Sequence, residues 1–170
     1  MFSDSPITSE NFKKLANSGF YDGLTFHRVE ESLIQAGYKE GDGTGETEFS
    51  INGEFSENGY DNTLKFERGT VGIARMDYTN YSSMDPTLIE KGYNSGYAQF
   101  FIMAQNVPQF DGYYCSFGKV IEGIEIVDEI TKINLYDIGL SEEELKRRKA
   151  KKYELKKALK GCTYGDVNDK

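Results

Sequence analysis

The sequence predicts a mainly β protein folded as one domain, and three observations carry that reading. Eighteen glycines among 170 residues require many tight turns, which suit short strands better than a helical bundle. The apolar residues gather in runs of strand length, Leu24 to Val29, Val71 to Arg75, Ala98 to Met103 and Cys115 to Val120, with turn formers such as Gly23, Gly69, Gly96 and Gly112 close by. Finally, 38% hydrophobic residues, 28% charged residues and only three prolines make an ordinary soluble composition. A chain of this length builds one real core and is too short for two comfortable ones.

The elements follow in order. Thr8 to Ser18 reads as a first helix, with Thr8 or Ser9 as cap, a narrow apolar stripe of Phe12, Leu15 and Ala16, and Gly19 as the left-handed stop. Phe20 to Gly23 turns the chain into the strand Leu24 to Val29. Gly37 to Glu46 holds four glycines among polar residues and should be a surface loop. Its Gly41-Asp42-Gly43-Thr44-Gly45 lacks the Lys and following helix that a phosphate cradle needs. Ser50 to Tyr60 is rich in turn formers and leads through Leu64-Lys65-Phe66 to the strand Val71 to Arg75. From Asp77 to Asn94 the apolar residues show no clear period, which predicts a long loop. Asn106 to Gly112 is a turn-rich connection between two buried strands, and Glu122 to Ile130 has helical spacing at Ile126, Val127 and Ile130. Ser141-Glu142-Glu143-Glu144 opens a capping box for a lysine-rich helix ending near Gly161. That helix carries few apolar residues.

Charge and cysteine usage narrow the function. From Ser141 onward ten Lys or Arg stand against six Asp or Glu, so this tail carries +4 and residues 1–140 carry −12 of the net −8. A body that acidic repels nucleic acid. Two cysteines and one histidine make neither a disulfide framework nor a plausible zinc site, so no metal and no cofactor is expected. No apolar run reaches membrane-spanning length, and Met1-Phe2-Ser3-Asp4 has no signal-peptide character. The expected location is the cytoplasm, although a removed leader would leave no trace.

Two strands carry polar side chains among residues that should be buried. In Phe26-His27-Arg28-Val29, alternation puts Phe26 and Arg28 on one face; in Gln99-Phe100-Phe101-Ile102, Gln99 and Phe101 share a face. A cation in an apolar strand is costly without a task or a partner. If the two faces meet, a guanidinium, an amide and a phenyl ring converge on one half-polar surface, suited to a peptide. For the pair alone the plainer alternative stays open, with Arg28 snorkelling and Gln99 bonded to neighbouring backbone.

The wider context adds Tyr21-Asp22-Gly23-Leu24-Thr25 ahead of Phe26-His27-Arg28-Val29, then Leu33-Ile34-Gln35-Ala36-Gly37, Gly43-Thr44-Gly45, Gln99-Phe100-Phe101-Ile102, and Asp111-Gly112-Tyr113-Tyr114 with Phe117-Gly118-Lys119-Val120. This ordered series, from about Pro6 to about Ile130, closely resembles the cyclophilin family of peptidyl-prolyl cis-trans isomerases in its bacterial form. The resemblance implies a cyclophilin-like antiparallel β-barrel with two capping helices, here at residues 1–130, followed by a linker and an extra C-terminal helix at 131–170. It implies Arg28 as the catalytic donor to the prolyl nitrogen. It also implies Phe101 as floor of the proline seat, Gln99 as a ligand of substrate backbone, and Gln35 as a second polar anchor. Leu33, Ala74, Arg75, Phe110 and Tyr114 would line the groove and Gly43 the facing loop. His27 resembles the family's active-site histidine but reads as structural on strand parity. The implied partners are proline-containing peptides or unfolded proteins.

The sequence departs from the family pattern in three places. Between Arg28 and Gln35 it is one residue shorter, so Leu33 and Ser32 stand where Met and Phe are usual. Replacing a buried ring by a hydroxyl removes on the order of 3 kcal/mol of apolar contact if nothing refills the space. The segment 77–94 is far longer than its bacterial counterparts, as an inserted loop would be. The chain also starts near the family's second strand and shows no evident last strand. Residues 131–170, another chain through open sheet edges, or a missing part of the protein would have to close the barrel. The competing readings are an isomerase, a catalytically weak peptide-binding module, and an oligomer formed through those edges.

Overall fold

A computed structural model of the chain describes residues 4–38, 49–81 and 85–132. The loop containing Gly43 and the expected C-terminal helix lie outside the described residues. Within them, five short strands form one antiparallel sheet: β1 (Arg28–Val29), β2 (Leu33–Ala36), β3 (Thr70–Ile73), β4 (Phe100–Met103) and β5 (Ser116–Lys119). Their order is β1-β2-β4-β3-β5, so the described sheet is open, with β1 and β5 at its edges. Helix α1 (Pro6–Asn17) lies against β5, and α3 (Ile124–Thr131) against β2. These are the two capping helices that the sequence implied.

The register explains why the strands read as continuous apolar runs. Gln35 pairs with Phe101 and Leu33 with Met103, while Ile34 pairs with Ile102 and Ala36 with Phe100. Gly72 faces Phe101, and Val71 faces Ile102. Alternation therefore sends Ile34, Ala36, Phe100 and Ile102 to a main core shared with Phe26, Phe55, Phe117, Val127 and Ile130. It sends Leu33, Phe101 and Met103 to a second, smaller cluster on the opposite face. With both faces covered, all four residues of β4 are buried.

Several expectations need correction. Phe26 and Arg28 do not share a face: Phe26 is buried in the main core, whereas Arg28 is exposed. The amide of His27 donates to Gln35 O at 3.1 Å, and Arg28 also stands opposite Gln35. Two residues thus face one, as at a β-bulge, and the irregularity reverses the parity before β1. Nor do Thr8 and Ser9 cap α1. The helix starts at Pro6, and no side chain of its N-cap Ser5 makes the capping bond. Instead the buried Glu54 carboxylate accepts the amides of Ile7 at 3.0 Å and Thr8 at 2.7 Å. The C-terminus is as expected, because Gly19 (φ 74°) lets its amide and that of Phe20 close on Ala16 O and Leu15 O. Lastly, the aperiodic 77–94 segment has structure of its own, a 3-10 turn at Thr79–Tyr81 and helix α2 (Thr87–Tyr93).

Candidate active site

The smaller cluster and its rim gather most of the predicted site residues. Leu33, Phe101, Met103 and Phe66 form a buried floor, and the half-buried Ala74, Val107, Phe110 and Tyr114 pack on it. The rings are ordered among themselves: Phe66 stacks on Phe101 at 5.6 Å, and Phe110 and Tyr114 meet Phe101 edge-on at 5.7 and 5.8 Å. Gly72 makes this possible. A Cβ there would lie 2.5 Å from Phe101 Cζ and 2.7 Å from Phe66 Cε1. Asp111 fixes the connecting loop by accepting the Phe66 amide at 2.8 Å and pairing with Lys65 at 3.3 Å.

A polar row borders this apolar patch. Arg28 Nη1 donates to Gln35 Oε1 at 3.1 Å, and Gln35 Nε2 donates to Gln99 Oε1 at 2.8 Å. The direction of the row follows from its first member. A guanidinium can only donate, so Gln35 must present its oxygen to Arg28 and its amide nitrogen to Gln99. Gln99 then accepts through Oε1, which leaves its own NH2 as a donor. The backbone carbonyl of Gln99 accepts the Ala74 amide at 2.9 Å, which seats Ala74 beside the row. On its other side Arg28 meets Glu30, with Nε donating to Oε1 at 2.7 Å and Nη2 lying 2.6 Å from the same oxygen.

Arg75 stands at the rim but points its guanidinium into the protein. Nε donates to Tyr113 O and Nη1 to Met76 O, both at 3.0 Å. Its cationic carbon also lies 4.5 Å from the centre of the Tyr114 ring, 5.0 Å from Tyr93 and 5.6 Å from Phe55. Burial raises the pKa of the Tyr114 hydroxyl above its ordinary value, and the adjacent Arg75 charge opposes that rise. Tyr114 is thus a neutral donor or acceptor throughout the physiological range. His27 packs its ring against Tyr38 at 6.3 Å.

The structure therefore brings together Arg28, Gln35 and Gln99 as one row, and Leu33, Ala74, Phe101, Phe110 and Tyr114 as one cluster. Arg75 braces the rim from within, and Gly43 lies outside the described residues. Sequence reasoning missed Phe66, Met103, Val107 and Glu30. Met103 was within reach, since alternation from Phe101 places it on the same face. Phe66 and Val107 lie in irregular segments with no period to expose them.

An apolar cluster with an adjoining row of amide and guanidinium donors, and with no Cys, Ser or Lys in either among the described residues, is a surface suited to holding a peptide rather than to covalent chemistry. The comparisons agree with that class. The profile of the "Cyclophilin type peptidyl-prolyl cis-trans isomerase/CLD" family matches residues 1–156. The chain is 35% identical over 128 residues to peptidyl-prolyl cis-trans isomerase B of Bacillus subtilis, covering 75% of this chain and 76% of that protein. It is 36% identical over 131 residues to peptidyl-prolyl cis-trans isomerase-like 3 of Rattus norvegicus, covering 76% and 71%. A crystal structure of a Cryptosporidium parvum cyclophilin type peptidyl-prolyl cis-trans isomerase, determined in the presence of the dipeptide Ala-Pro, superposes with a TM-score of 0.62 at 28% identity, covering 78% of this chain and 75% of that one. The chain belongs to the cyclophilin family of peptidyl-prolyl cis-trans isomerases.

Proposed function

We propose that this chain accelerates rotation about X-Pro peptide bonds by seating the proline ring against the Phe101 cluster while Arg28 donates to the prolyl nitrogen. The barrier to rotation is about 18–20 kcal/mol because the nitrogen shares its lone pair with the carbonyl. For X-Pro the two ground states are nearly balanced, so only the barrier needs lowering. As the bond twists, the nitrogen regains its lone pair and becomes an acceptor. A guanidinium fixed beside it stabilises the twisted state more than either planar one. Arg28 cannot act as an acid at neutral pH and works as a fixed charge and donor. The free NH2 of Gln99 is placed to hold a substrate carbonyl, and Ala74, Phe110 and Tyr114 shape the apolar wall. Clients are exposed X-Pro segments of peptides and unfolded proteins, met in the cytoplasm, with Gly43 contributing from the facing loop. The open edges at β1 and β5 are where a second chain or residues 131–170 would pair.

The observation that supports this reading above the others is the Arg28–Gln35–Gln99 row running along the same sheet face as the Phe101 cluster. The test is NMR exchange on a short X-Pro peptide with wild type and Arg28→Ala. Wild type should accelerate cis–trans exchange, and the variant should lose about a hundredfold or more of that acceleration, as when one transition-state donor is removed. If neither folded protein accelerates exchange, the groove is a binding module and the catalytic reading fails.

A further inference from the structure

We propose that Glu30 is a positioning residue for Arg28, holding the guanidinium in the plane from which it reaches the prolyl nitrogen; this rests on the catalytic reading of Arg28 above. The short connection between Arg28 and Gln35 places it there. Val29 pairs with Ile34 and the Glu30 amide donates to Leu33 O at 2.9 Å, so only Glu31 and Ser32 form the tip of the hairpin. Glu30 therefore still follows the strand, two residues beyond Arg28 and on the same side. The neighbouring acid is otherwise engaged, since Glu31 Oε1 accepts from Gln105 Nε2 at 3.3 Å. Ser32 O, in turn, accepts the amides of Ala104 at 2.8 Å and Gln105 at 3.3 Å, which ties the tip to the end of β4.

The arithmetic of donors shows what Glu30 does. Arg28 has five N–H groups in a rigid plane. Glu30 Oε1 takes the Nε side at 2.7 Å and lies 2.6 Å from Nη2, while Gln35 takes one donor of Nη1 at 3.1 Å. The guanidinium is gripped on two sides, with one N–H on each terminal nitrogen left for substrate. The Arg28 and Glu30 side chains are 50% and 46% exposed, and an ion pair so exposed adds little to stability. Its effect is on orientation: a long side chain with many rotamers reaches the reaction already aligned.

Wild type, Arg28→Ala, Glu30→Ala and Glu30→Gln are compared by peptide exchange, and the Arg28 Nε–H resonance is followed by 15N NMR. Glu30→Ala should lower kcat by roughly tenfold with KM within about a factor of two, the pattern of a group needed only in the transition state. Glu30→Gln, which keeps an acceptor at the same reach, should recover most of the rate. The Nε–H resonance should be sharp in wild type and broadened by solvent exchange in Glu30→Ala. If Arg28→Ala is inactive and Glu30→Ala turns over as fast as wild type or faster, the positioning role is overturned while Arg28 keeps its role. If Arg28→Ala is fully active, the reading of Arg28 itself falls.

Discussion

Cys115 is wholly buried just before β5, where its thiol donates to Thr8 Oγ1 at 3.2 Å and lies 3.9 Å from Asn62 Nδ2. Burial, the largest influence, pushes its pKa from an ordinary 9.0 up to about 11, with the Glu54 carboxylate adding to the rise and the Thr8 bond opposing it. A raised folded-state pKa means that the unfolded chain releases this proton first as the pH increases. The associated stability is complete below pH 9 and disappears as the pH rises through 11. The loss should be on the order of 2–3 kcal/mol. Urea denaturation between pH 8 and pH 11 should show that decline in wild type. Cys115→Ala should show less of it, leaving the part due to Tyr114, whose pKa burial also raises. At neutral pH the same burial keeps the thiol protonated and slow towards disulfide reagents.

Helix α1 shows how a single element depends on a distant residue. Its first amides are satisfied by Glu54, a carboxylate that is 1% exposed and far along the chain. A carboxyl group is tolerated in that interior because two backbone donors satisfy its oxygens at the positive end of the helix. Glu54→Ala should destabilise the fold by about 2 kcal/mol, since the buried Thr8 amide would be left unpaired and the Ile7 amide would lose its partner to water. Glu54→Gln should cost less, as it retains one acceptor; chemical denaturation at pH 7 ranks the three proteins. The same case marks the limit of what the sequence shows. The strands Ala98 to Met103 and Cys115 to Val120 were legible because both sheet faces are covered and their residues are accordingly apolar. The helices α1 and α3 were legible from spacing and from Gly19. Glu54 was not, because a long-range cap leaves no local pattern, and Ser9 and Thr8 offered a nearer candidate. Helix α2 was hidden because it is only Thr87–Tyr93 long and carries Gly92. That glycine is there for contact, since a Cβ would fall 2.8 Å from Met76 O and 3.1 Å from Tyr78 Cδ2. The sequence raised a meeting of the Arg28 and Gln99–Phe101 faces, and the structure brings them together by way of a bulge that alternation could not anticipate; Gln35, which links Arg28 to Gln99, entered only through the family resemblance.

At the scale of the whole molecule, residues 1–140 carry a charge of −12, and Arg28 in the row is already paired with Glu30. Peptides approach through that field before they meet the row. At low ionic strength an X-Pro peptide flanked by lysines should show kcat/KM about threefold to tenfold above one flanked by glutamates, and the two should converge near 1 M salt as screening shortens the field. Equal values for both peptides at every salt concentration would show that this charge does not steer substrates.

Arg75 ties the segment 77–94 to that site. Its guanidinium lies between Tyr93, at the end of α2, and Tyr114, which rests on the Phe101 ring. In mechanical terms it is a tie rod with one end anchored in α2 and the other beside the Phe101 cluster. A tie rod transmits load in both directions. A displacement of α2 that moves Tyr93 would therefore load the Tyr114 ring through Arg75, and a load on that ring would reach α2 in return.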